Sequence, residues 1–118
     1  MAYDHITQYV SSTGAAGAVT AAVPAAAGLY SYVDGFDVTG LGATAATSVD
    51  VTLSDGTVTL HYRVAVPAGV TTGITPLQVR FPEALQSTAV NTAWTLTVPT
   101  FGSGNTNVSA SIYGYQQD

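Results

Sequence analysis

Tyrosines aside, the groups in this 118-residue chain that can carry charge or move a proton are two histidines, seven acidic side chains and two arginines. Nucleophilic catalysis needs a nucleophile, a base and an orienting group held together. His5 has Asp4 beside it, but in a stretch with no sustained period, and His61 points outward from an alternating run. Neither has the second and third partners of a catalytic set, so both are read as exposed or interface histidines and no enzymatic activity is expected. Asp34-Gly35-Phe36-Asp37, with Asp50 or Asp55, is the best source of oxygen ligands for calcium. It lacks the alternating Asp/Asn pattern and closing Glu of a calcium loop. Carboxylates at turns and strand ends accepting backbone N–H bonds are the simpler expectation. Paired carboxylates for glycoside hydrolysis would need a cleft and sugar platforms that the sequence does not announce. The glycine-rich segment from Phe101 to Asn107 is followed by neither a helix nor a lysine, so it reads as a turn rather than a phosphate loop. Asn107-Val108-Ser109 matches a glycosylation acceptor but falls in an expected strand, with no leader pattern before it. No metal and no cofactor are expected.

Charged residues make up 8% of the chain and lysine is absent, against about 25% charged in ordinary soluble domains. A formal net charge of -5 argues against nucleic acid, which needs clustered cations to displace counterions, and against anionic membrane surfaces. No apolar run reaches the roughly 18 residues of a membrane span, and no basic segment precedes an apolar one at the start, so a soluble, non-secreted chain is expected. The absence of cysteine suits a reducing compartment. A surface this poor in charge and rich in Thr, Ser, Ala and Gly is expected to be covered by a partner or by copies of itself.

The elements that must position these residues are nearly all strands. Residues 1–14 have no sustained period and end in Ser-Ser-Thr-Gly, so they are expected to form an extended N-terminal arm, and 15–118 a single domain. Within the small-residue stretch after the arm, a short edge strand is expected around Ala18 to Val23, with Pro24 tolerated at its end. Strands are then expected over 29–38, 48–53, 57–66, 76–81, 93–98 and 106–115. The run at 57–66 alternates strictly, putting Val58, Leu60, Tyr62, Val64 and Val66 inward and His61 and Arg63 outward. Asp55-Gly56 before it predicts a tight hairpin with a primed turn. Trp94 shares parity with Leu96 and Val98 and belongs in the core. Seven or eight such strands separated by turn residues predict an all-β protein, an antiparallel β-sandwich or jelly roll.

The last strand poses a question. Val108, Ala110 and Ile112 share the inward side, which leaves Tyr113 and Tyr115 on a side that should face water. An aromatic patch with polar neighbours marks an association site. Tyr113 and Tyr115, with His61 and Arg63, are therefore the expected oligomer interface. Arg63 and Arg80, outward in their strands, either pair across it with the excess carboxylates or stand solvated.

Several segments resemble a group of small proteins encoded in tailed-bacteriophage and prophage genomes. The resemblance rests on Tyr32 to Gly40 (YVDGFDVTG), the Val-Pro-Ala-Gly turn at Val66 to Gly69, Asn-Thr-Ala at Asn91 to Ala93, Gly-x-Gly-Asn-Thr-Asn at Gly102 to Asn107 and Gly-Tyr-Gln at Gly114 to Gln116. It extends over residues 18–117 and leaves the arm outside. It implies a virion structural protein, assembled in the host cytoplasm, that decorates or cements the capsid as a symmetric oligomer, a homotrimer being the expected form. Its partners would be itself and the major capsid protein or another virion protein. The arm would order on the shell through Tyr3, His5, Ile6, Tyr9 and Val10. The alternative expectation is a receptor- or carbohydrate-binding sandwich of a head or tail fibre, with Tyr113 and Tyr115 stacking on sugar rings.

Overall fold

A computed structural model describes residues 7–10, 18–69, 71–102 and 108–118. The described residues form eight strands and no helix: β1 (Thr7–Val10), β2 (Val19–Val23), β3 (Tyr30–Thr39), β4 (Thr47–Ser54), β5 (Thr59–Val66), β6 (Leu77–Gln86), β7 (Trp94–Val98) and β8 (Ser109–Gln117). They make two antiparallel four-stranded sheets, ordered β1-β8-β3-β6 (sheet A) and β2-β7-β4-β5 (sheet B). The chain is an antiparallel β-sandwich, as its alternation predicts.

Period-two patterning fixes which side of each strand is dry. Val49, Val51 and Leu53 of β4, Trp94, Leu96 and Val98 of β7, and Val33, Phe36 and Val38 of β3 meet Ala110 and Ile112 of β8 in one buried core. Trp94 is buried there, as its parity requires. Opposite faces carry Thr20, Thr52, Thr95 and Thr97 on sheet B, and the tyrosines on sheet A.

Three local differences from the expected pattern have physical causes. Thr7–Val10, within the expected arm, is a strand: it pairs antiparallel with β8, turning Tyr9 onto the core and leaving Val10 67% exposed on the outer face. Four residues are too few to show a period, so its pairing partner supplies the order. Tyr3, His5 and Ile6 lie outside the described residues. The β4–β5 hairpin is wider than a two-residue turn: Ser54 pairs with Thr59, and residues 55–58 form the loop. Here Asp55 replaces the primed turn. Its Oδ1 accepts the N–H groups of Thr57 (2.9 Å) and Val58 (2.8 Å), and Gly56 takes the positive φ of 96°. Val58 therefore leaves the strand and is exposed rather than inward. Finally, β6 continues five residues beyond Phe81, passing through Pro82, because an edge strand needs no N–H donor on its free side.

The two long sides of the sandwich differ. On one, β2 packs close to β1 and β8, so tightly that a Cβ on Gly114 would collide with the Tyr32 carbonyl and a Val23 methyl. On the other, β5 and β6 stand apart, and the inward residues Leu60, Tyr62, Leu77, Val79 and Phe81 are only partly buried. Tyr62 bridges inward to Phe36 in an edge-on contact, 5.1 Å between ring centres.

Candidate functional site

Tyr113 and Tyr115 lie on the outer face of sheet A, where parity puts them, and each has a partner within the chain. Tyr115 stands directly across from Tyr32 on β3, and the rings stack with centres 4.9 Å apart. Tyr113 is covered by Arg80, whose guanidinium carbon lies 4.5 Å from the ring centre. Its hydroxyl donates to Asp37 Oδ2 at 2.5 Å. Arg80 Nη1 in turn donates to Asp37 Oδ1 at 3.0 Å and to the Phe36 carbonyl at 3.2 Å. Gln8 Nε2 donates to the Tyr113 hydroxyl at 3.4 Å. One side chain from each of β1, β8, β3 and β6 thus makes a polar row running across the full width of the sheet.

Two backbone features allow the row to form. The pairing of β3 with β8 shifts between Val33 and Gly35, so Asp34 is an extra residue that reverses the parity of the rest of the strand. Without that bulge Asp37 would face the core and Phe36 the solvent. Gly35 leaves the floor clear: a Cβ there would meet the Val79 carbonyl and Arg80 Cδ. A glycine inside an alternating strand is the sequence signal that marks such a close approach.

The electrostatics match the geometry. Burial raises the Asp37 pKa, but the Arg80 and Tyr113 hydrogen bonds and the Arg80 charge outweigh it and hold the carboxyl below its ordinary value. The bond to Asp37, reinforced by burial, pushes the Tyr113 phenol above its ordinary value. At neutral pH the row is thus a fixed ion pair capped by a neutral phenol. It gives the face an amphipathic character, with an ion pair beside an aromatic ring.

The other expected site residues lie elsewhere. His61 and Arg63 are on the outer face of sheet B at its β5 edge, so the fold does not join them to Tyr113 and Tyr115. His61 Nδ1 lies 2.7 Å from Asp50 Oδ2, whereas Asp50 Oδ1 is buried with no hydrogen-bond partner among the described residues. Arg63, opposite Asp50 in register, makes no ion pair among the described residues. Asp34 and Asp37 belong to one sheet, Asp50 to the other and Asp55 to the hairpin, so the four carboxylates considered for calcium do not converge. Among the described residues no three His, Cys, Asp or Glu side chains gather as metal ligands.

The two packed sheets define the chain as a β-sandwich, whose sheet A presents outward aromatic rings braced by the Asp37–Arg80 ion pair. Comparison with known proteins finds no matching family model, no matching curated protein and no matching solved structure.

Proposed function

We propose that this chain is a structural protein of a tailed-phage virion, decorating the capsid as a symmetric homo-oligomer with the segment before β2 reaching the shell. The observation that carries this reading is a chain with only 8% charged residues, whose sandwich presents threonines on the outer face of one sheet and tyrosines on that of the other. Such a surface gains more from being covered than from being wetted. The resemblance over residues 18–117 supplies the virion context. The row from Gln8 to Arg80 adds a reason for stiffness, since a decorating tile must hold its shape under load. Mass spectrometry and imaging of virions assembled from the genome that encodes the chain test the proposal. The expected result is the protein at stoichiometric, symmetry-related positions on the particle, and its absence from purified particles overturns it.

The stacked Tyr32–Tyr115 pair favours one second reading, a glycan-binding face on a head or tail fibre. Arg80 already occupies a face of Tyr113, which leaves that ring poorly placed for a sugar. Chemical-shift perturbation by oligosaccharides, confined to Tyr32 and Tyr115, is what this reading requires.

A further inference from the structure

The open side of the sandwich carries two features of opposite charge. The first is a cleft of about 260 Å³ between the end of β5 and the start of β6, lined by Arg63, Val64, Ala65, Thr75, Pro76 and Leu77. Its one charged group is Arg63, which makes no ion pair among the described residues. The second is an excursion of the β6 edge. Arg80 pairs with Gly35 and Leu85 with Val33, so four residues, Phe81 to Ala84, stand opposite the single Asp34. Pro82 and Glu83 are exposed at its crest, and Glu83 too makes no ion pair among the described residues.

We propose that a second copy of this chain docks along this side, with the Pro82-Glu83 crest of each copy seated in the other's Arg63 cleft. Charge selects the occupant: the cleft is lined by an arginine without an ion pair, and the crest offers a glutamate without one beside a proline, among the described residues. Both features lie on the open side of the sandwich: the cleft spans the end of β5 and the first residue of β6, and the crest follows a few residues along β6. Two β6 edges set antiparallel about a two-fold axis therefore satisfy both contacts at once, and the interface closes without leaving a free end. The docked copies also shelter Leu77, Val79 and Phe81, which the sandwich leaves partly bare.

This contact rests on reading the chain as self-associating, and its test is separable from the search for the protein in virions. Sedimentation and light scattering of the full chain measure the dimer constant for the wild type, Arg63→Glu, Glu83→Arg and the double exchange, with circular dichroism confirming that each is folded. Each single reversal is expected to weaken association about tenfold or more, since it sets like charges against each other, and the double exchange to recover it to within a few-fold. A wild type that stays monomeric at millimolar concentration overturns the contact, as do single reversals without effect or a folded double exchange that fails to recover. None of these results bears on whether the chain is found in virions.

Discussion

At the scale of single residues, Asp55 is the carboxylate that accepts the most backbone N–H bonds among the described residues. It is 6% exposed and joins two segments: it closes the β4–β5 loop through Thr57 and Val58, and its Oδ2 accepts the Thr88 N–H (2.7 Å) and hydroxyl (2.9 Å) from the segment before β7. Burial alone would raise its pKa, but the backbone donors of Val58, Thr88 and Thr57 and the Thr88 hydroxyl lower it from 3.8 to about 2. Since the folded value lies below the unfolded one, the carboxylate contributes its full stabilisation, on the order of 2 kcal/mol, above about pH 4. That contribution fades as the pH drops through the window between the two values. Asp55→Asn is expected to lower stability by about that amount at pH 7 and to flatten the acid limb of the stability profile, as measured by denaturant unfolding at pH 7 and pH 2. A second residue-scale prediction concerns Tyr113→Phe. Removing the hydroxyl leaves Asp37 with Arg80 alone, so the Asp37 carboxyl is expected to titrate at higher pH by NMR, with about 1 kcal/mol lost from stability.

At the scale of elements, the strands with unbroken alternation were legible because a dry face and a wet face leave their mark residue by residue. β4, β5 and β7 lie where the pattern puts them, apart from a frayed start to β5 where Asp55 rather than a primed turn closes the loop. β1 was not legible, since four residues carry no period and their order comes from β8. The extension of β6 was hidden by Pro82, which ends most strands but not an edge. For the site, parity put Tyr113 and Tyr115 on the outer face. It did not reveal that Asp37 and Arg80 join Tyr113, because that requires the strand order β8-β3-β6 and the parity reversal at Asp34. Gly35→Ala tests this link. A side chain there displaces Arg80 and strikes the Val79 carbonyl, so a loss of about 2 kcal/mol or more and a change in the Arg80 guanidinium resonances are expected. Leu96→Ala, in the middle of β7, leaves a cavity between the sheets and is expected to cost about 2 to 5 kcal/mol by thermal or denaturant unfolding.

At the scale of the whole molecule, the sandwich is sealed along the side of β1, β2 and β8 and unsealed along that of β5 and β6. Deleting residues 1–14 removes β1 and the cover over one edge of β8. The remaining seven strands keep the buried core, so the variant is expected to fold with a lowered melting temperature, read by calorimetry, and, under the proposed function, to attach poorly to phage heads. β8 has a different standing. It lies inside sheet A, between β1 and β3, although residues 40–108 separate it from β3 in sequence. While a ribosome still holds residues 109–117 in its tunnel, β3 lacks a neighbour on one side and Tyr9 has nothing to rest against. The four-stranded sheet A therefore cannot close until residues 109–117 have emerged, and a chain truncated before them exposes the edge of β3 to proteases.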